Sequence, residues 1–138
     1  MSQQNDPRIQ LVRDLFAAWS SGDADAPVNI MHPDAILYDI VGGSHSGWAN
    51  IRGFFAQGLK KWPDLILEPN EFWTSDEGVA VTWVMSASVT EATASMLGAH
   101  NVGKKWRSEG MSWLKIVDGR VVHEVDYHDS GAILKSLL

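Results

Sequence analysis

Apolar residues recur along this chain at two periods, and the change of period divides it. Ile9, Val12, Leu15, Phe16 and Trp19 return at three- and four-residue spacing, which makes one apolar helical stripe. Asp6-Pro7 supplies its start, an N-cap followed by proline at the first helical position, and Ser20-Ser21-Gly22 stops it. A short second helix is predicted over residues 25–31, with Pro27 near its start and the pair His32-Pro33 after its end. Residues 35–41 (AILYDIV) read as a strand, and Gly42-Gly43-Ser44-His45 as a loop. A third helix spans 47–61, with Trp48, Ile51, Phe54, Phe55 and Leu59 on its apolar face.

Beyond Trp62-Pro63 the period shortens to that of strands. Residues 65–73 form one, with Pro69 marking an edge or a bulge. A turn at Ser75-Asp76-Glu77-Gly78 leads into 79–89, and a polar stretch, 90–105, reads as a loop. Strands over 106–117 and 120–128 are joined by Asp118-Gly119, a strong two-residue hairpin signal. Asp129 can cap a last helix over 130–138. Helices first and consecutive strands afterwards predict an α+β domain occupying the whole chain, 1–138. A strongly bent mixed sheet covered by three helices would enclose a one-mouthed cone, a natural ligand cavity.

Composition narrows the classes. In 138 residues, 11 basic against 17 acidic side chains leave a net charge of −6. With no basic cluster, nucleic acid and anionic membrane surfaces are poor partners. Cysteine is absent, which excludes thiolate nucleophiles and cysteine-held metals. No apolar run is long enough for a membrane span, and the polar start at Met1–Asp6 shows no leader pattern, so a cytoplasmic address is expected. Seven tryptophans point to a large apolar cavity or a subunit interface.

Two stretches carry a family likeness. Residues 35–47 (AILYDIVGGSHSG), followed by Ile51-Arg52-Gly53-Phe54-Phe55, and residues 118–129 (DGRVVHEVDYHD) resemble the nuclear transport factor 2-like superfamily. The branch they look most like holds the SnoaL-like polyketide cyclases, ketosteroid isomerases and limonene-epoxide hydrolases. The resemblance implies a cone-shaped fold, a hydrophobic small-molecule ligand, no cofactor and a homodimer. It also implies a base at Asp126 and a proton-shuttling carboxylate at Asp39.

The residues themselves leave alternatives. Alternation places Leu37, Asp39 and Val41 on one strand face, where Asp39 either enters a cavity or bonds the loop amides that follow. On the last strand, Glu124, Asp126 and His128 share one face, and Val121, His123, Val125 and Tyr127 share the other. Hydrophobicity alone would turn the valines and Tyr127 inward and leave the acidic row in water. The family pattern reverses that choice. His128 would then stand about 7 Å along the strand from Asp126, near enough to share proton transfer. Three ligands from one straight strand seldom converge, so no metal is expected.

Two relatives' chemistries find no match. The isomerases' helix-1 oxyanion donor falls at Leu15 or Phe16, and their strand acid near Met111 or Ser112; Leu, Phe and Met donate no hydrogen bond. The epoxide hydrolases' middle-strand Arg–Asp pair is lacking in Val84-Met85-Ser86-Ala87-Ser88. The expected site comprises Asp126, Asp39 and His128 as catalytic groups, with Tyr38, Phe54, Phe55, Trp62, Trp83, Ser112 and Glu124 against the substrate. The expected activity is cyclase or isomerase chemistry beginning with proton removal alpha to a carbonyl. A dehydratase or hydrolase using the same acids, or a non-catalytic binding domain, is the alternative.

Overall fold

In the computed structural model, which describes residues 5–138, a six-stranded sheet runs in the order β2-β1-β6-β5-β4-β3. The reading of a leader-free start falls mainly on residues 1–4, outside the described residues. The elements are α1 (Pro7–Trp19), β1 (Met31–Asp39), β2 (Gly43–Ser46), α2 (Trp48–Lys61), β3 (Ile66–Thr74) and β4 (Gly78–Ser88). They continue with α3 (Ala94–Leu97), β5 (Lys105–Val117), β6 (Arg120–His128) and α4 (Gly131–Lys135). β1 and β6 pair in parallel, and every other neighbouring pair is antiparallel.

Local chemistry explains the helices. The Asp6 carboxylate accepts from Arg8 N at 2.9 Å, capping α1 ahead of Pro7. The α1 stripe of Ile9, Val12, Leu15, Phe16 and Trp19 is buried as a unit against the sheet. At its end Ser20 Oγ accepts from Leu67 N at 2.9 Å, which ties α1 to β3. α2 buries Ile51 and Phe55. Together they roof the sheet's concave face over a core that includes Met31, Leu37, Val79, Val81, Leu114 and Val121. A second cluster, with Leu65, Val89, Leu97, Trp106 and Leu137, closes the other end beneath α3 and α4.

The expected mixed α+β architecture with a curved sheet is the one observed. The hairpin at Asp118-Gly119 has positive φ at both residues, 50° and 75°, as a tight two-residue turn requires. Pro69 lies in edge strand β3, beside a break in register between Pro69 and Phe72.

Other expectations change. The second helix contracts to one 3-10 turn, Ala26–Asn29, because Met31 pairs with Val121 in the sheet instead of extending the turn. Most of the loop read over residues 42–45 belongs to β2, Gly43–Ser46, which pairs with β1. The 90–105 stretch contains α3, and the terminal helix keeps only Gly131–Lys135, with the Asp129 carboxylate accepting from Gly131 N at 2.9 Å. Strict alternation also fails on β6. Lys115 pairs with His123 and Ile116 with Val121, which leaves Val122 as an extra residue. This bulge resets the pleat, so fully buried Val121 shares the inner side with Glu124.

Two glycines should respond in opposite directions. A Cβ on Gly78 would collide with the Leu114 carbonyl of the neighbouring strand, whereas one on helical Gly53 would meet open space. Gly78→Ala should cost about 3 kcal/mol, because backbone must move. Gly53→Ala should add about 0.5–1 kcal/mol by helix propensity and a stiffer unfolded chain. Urea denaturation midpoints at constant slope would measure both.

Candidate active site

The concave side of the sheet and the helices bound a cavity of about 990 Å³. Phe16 and Trp19 enter it from α1, Phe54 and Phe55 from α2, Trp83 and Met85 from β4. α3 and α4 border it with Met96, Ile133 and Leu134. Five of its polar groups come from the adjoining strands β1, β5 and β6: Asp39, Ser112, Glu124, Asp126 and His128. Gln57, Lys60 and Lys61 of α2 and Ser130 also line it.

Register brings these groups together. Asp39 stands beside Asp126 across the parallel pair, and Ser112 stands beside Asp126 on the antiparallel side. Ser112 Oγ donates to Asp126 Oδ1 at 2.6 Å, and it accepts from Trp83 Nε1 at 2.8 Å. Trp83 can reach it because Gly110 lies opposite on β5, where any Cβ would run into the indole. Gly110 also faces His128, whose ring lies 5.8 Å from that of Trp83. One absent side chain thus admits an aromatic plate across three strands.

His128 Nε2 meets both oxygens of Asp39, at 3.1 and 3.0 Å. Asp39 Oδ1 also accepts from Val41 N and Gly42 N, each at 2.8 Å. Both readings of Asp39 therefore hold at once: it lines the cavity and it anchors the loop amides. The expected partnership of His128 with Asp126 is corrected, since His128 hydrogen-bonds to Asp39. Asp39 ends β1 in register with Asp126, and its side chain reaches along the adjoining strand to His128, two residues further on.

These surroundings sort the charges. Burial pushes Asp39 up, but hydrogen bonds from His128, Gly42 and Val41 outweigh it and leave the carboxyl below its ordinary value. The bond to Asp39 pulls His128 above its ordinary value, against burial. Desolvation, then the charge of Asp126, holds Glu124 well above the usual carboxylate range. Asp126 is raised as well, by burial, while hydrogen bonds involving Glu124 and Ser112 oppose the rise. Two adjacent carboxyls are thereby separated, Glu124 as an acid and Asp126 as the one that ionises first.

Of the residues expected to meet substrate, Phe54, Phe55, Trp62, Trp83, Ser112 and Glu124 line the cavity. Tyr38 does not. The alternation that turns Leu37 and Asp39 inward turns Tyr38 outward, where its ring packs 6.2 Å from Tyr127. Among the other tryptophans, Trp106 is sealed in the second core and Trp113 lies against His123, with ring centres 6.3 Å apart. At the relatives' strand position, Ser112 points in, whereas Met111 is exposed. Among the described residues, no group of three or more His, Cys, Asp or Glu is disposed to hold a metal ion, and no helix is long and apolar enough to cross a membrane. Sequence reasoning missed Gly110, although a glycine inside a strand signals close approach.

Residues 12–124 match the SnoaL-like domain, and the chain belongs to that family. No curated protein matches it in sequence. Among solved structures it is similar to AclR, a candidate hydroxylase from Streptomyces galilaeus, with 25% identity, 95% of each chain covered and a TM-score of 0.75. A candidate polyketide cyclase from Acidithiobacillus ferrooxidans aligns with a TM-score of 0.83 and 17% identity over 99% of this chain and 97% of that one. IdmH, a candidate polyketide cyclase from Streptomyces antibioticus, aligns with a TM-score of 0.81 and 17% identity over 96% and 99%. The architecture shared with them is the nuclear transport factor 2 and ketosteroid isomerase-like fold.

The raised carboxyl makes stability pH-dependent with a definite sign. Where the folded state keeps a proton that the unfolded chain gives up, stability falls as pH rises. For Glu124 the fall begins near its ordinary value of 4.5 and continues through its raised folded value. The Asp39–His128 pair bounds stability on both sides. The His128 contribution is complete below about 6.5 and fades as pH rises through its raised value. That of Asp39 is complete above about 3.8 and fades as pH falls through its lowered value. Glu124→Gln should flatten the alkaline decline; melting temperatures of the variant and wild type from about pH 5 to 9 would show the difference in slope.

Proposed function

We propose that this SnoaL-like protein is an isomerase or cyclase for a flat, hydrophobic ketone of polyketide-like or steroid-like shape, acting by proton removal next to a carbonyl. The observation that carries the reading is Asp126: a carboxyl inside an apolar cavity, held through Oδ1 by the Trp83–Ser112 chain. Desolvation raises its basicity toward working pH, which a general base needs. The Asp126 carboxylate takes the alpha proton, and the C–H electron pair becomes the enolate double bond as the carbonyl π pair moves onto oxygen. The enolate is then reprotonated at a different carbon, or its carbon attacks a second carbonyl to close a ring. Electrons and protons balance without an added oxidant.

Asp39 serves as a positioning residue in this scheme. Its oxygens are occupied by two amides and His128, so it holds His128 as a cation beside Asp126. That cation makes ionised Asp126 affordable inside the cavity. The identity with AclR favours a second reading, hydroxylation of a similar substrate in the same cavity, with dioxygen as oxidant and an external two-electron reductant taking its second oxygen to water.

The test is turnover of a panel of cyclic β-keto compounds by wild type and Asp126→Asn, with products identified by mass. The variant should lose at least about 100-fold in kcat, the usual loss of a general base. Equal turnover by both proteins removes Asp126 from the mechanism, and a product heavier by one oxygen supports the hydroxylase reading. Thermal stabilisation by the same compounds without any turnover indicates a binding domain.

A homodimer belongs to the same proposal. Ile36, Met111 and Tyr127 expose large apolar surface, at 40%, 42% and 55% of their areas. Surfaces of that kind in a cluster favour burial against a second copy. Sedimentation at micromolar concentration should give twice the chain mass, and a monomer there contradicts the assembly.

A further inference from the structure

The enolate scheme needs a donor for the oxygen that gains charge, and the positions that serve the isomerases do not supply one. Leu15 is sealed in the core, Phe16 has no donor, and Ser112 already donates to Asp126. Elsewhere in the cavity wall, three buried polar atoms lack hydrogen bonds among the described residues: Trp19 Nε1, Glu124 Oε1 and His128 Nδ1. Buried polar atoms are nearly always satisfied, so three left open in one cavity wall call for an explanation. Glu124 is only 3% exposed, and its strand neighbours in register are Leu37 and Leu114. No lysine or arginine forms an ion pair with it. The charged groups lining the same cavity are Asp39, Asp126, His128 and, from the last turn of α2, Lys60 and Lys61; His128 is committed to Asp39, and neither lysine pairs with Glu124. A carboxyl in such a place exists as the neutral acid, which has one oxygen that accepts and one that donates.

Glu124 Oε1 is sealed from water and unbonded. The Glu124 carboxyl also stands within hydrogen-bonding reach of the Asp126 carboxyl, to which the protonated acid can donate. The Trp19 indole N–H acts on the same carboxyl, and it favours the charged form without completing a bond to it.

We propose that, when a ketone enters, the Glu124 acid turns its proton from Asp126 to the substrate's carbonyl oxygen, and that the Trp19 N–H closes onto Oε1 as charge builds there. The assignment rests on the enolate reading of the site and supplies its oxyanion donor. Glu124 and Asp126 then form one unit, an acid and a base two residues apart on β6. They grip the oxygen and the alpha hydrogen of the same ketone. The bond from Trp19 is unmade at rest and made in the transition state, so it lowers the barrier without tightening ground-state binding. Trp19 is thus a positioning residue, and Glu124 a catalytic one. The substrate class narrows accordingly to ketones whose enolisable carbon sits directly beside the carbonyl that Glu124 holds.

The probe is 2-acetylnaphthalene labelled with carbon-13 at its carbonyl, which can accept hydrogen bonds but cannot donate them. Its bound carbonyl stretch reports the donor, and deuterium uptake at its methyl group reports proton abstraction. Wild type should shift the stretch below its value in Glu124→Leu, and Glu124→Gln, which retains a donor, should keep much of the shift. Glu124→Met serves as the second apolar variant. Deuterium uptake should fall about 100-fold or more in either apolar variant, as for other oxyanion donors. Trp19→Phe should leave the stretch unchanged while slowing uptake at saturating probe about tenfold, the worth of one charge-assisted hydrogen bond. An identical stretch in wild type and the apolar variants overturns the assignment of Glu124, and undiminished uptake in Trp19→Phe overturns that of Trp19. Uptake that persists in Asp126→Asn, with the stretch still sensitive to Glu124, defeats the base and leaves the donor standing. Absence of saturable binding to wild type overturns both.

Discussion

Carboxyl groups on β6 enter a cavity walled mainly by carbon, and the rest of the site is arranged around the cost of that placement. Taking a carboxylate out of water costs several kcal/mol unless hydrogen bonds or opposite charge replace the lost hydration. Each acid meets the cost differently. Asp39 is held ionised by two backbone amides and His128. Asp126 has Ser112, with Trp83 behind it. Glu124 faces another acid, Asp126, in place of amides or a cation, and burial drives it to keep its proton. Three acids of similar intrinsic strength thus acquire three different characters from their surroundings.

The fold makes this arrangement possible through irregularities more than through regular strands. The bulge at Val122 allows one strand to supply Val121 to the core and Glu124, Asp126 and His128 to the cavity. Without the extra residue, an inward Val121 would have directed the acidic row to solvent, since alternation is strict in an unbroken pleat. Gly110 performs a comparable service on β5. Its missing Cβ makes room for Trp83, which joins the aromatic wall to the hydrogen-bonded network. α1 and α2 then close the hollow with Trp19, Phe54 and Phe55, so water is kept from the acids by the same side chains that would face a flat substrate.

Much of this architecture could be read from the chain alone. Periodicity and capping located α1, α2 and the strands from β3 to β6, because local propensity and a one-sided apolar pattern specify such elements wherever they pack. The tight turn at Asp118-Gly119 and the edge position of Pro69 followed from backbone sterics. Asp126, Asp39 and His128 could be singled out as well, through the likeness of residues 118–129 and 35–47 to a family. What the chain did not disclose were contacts between distant residues: the pairing of His128 with Asp39, the chain from Trp83 to Asp126, and the packing of Tyr38 against Tyr127.

That division has a physical cause. The sequence by itself determined the α+β order, the existence of an amphipathic roof, and which residues could bear charge, since these depend on neighbours within a few positions. Tertiary structure alone decided the direction and company of each acid. Hydrophobicity argued for exposing Glu124 and Asp126, and a single unpaired residue in the ladder reversed the outcome. The shift of a carboxyl's proton affinity arises from the loss of water and from groups brought near by folding, and neither is written at the residue that bears the charge.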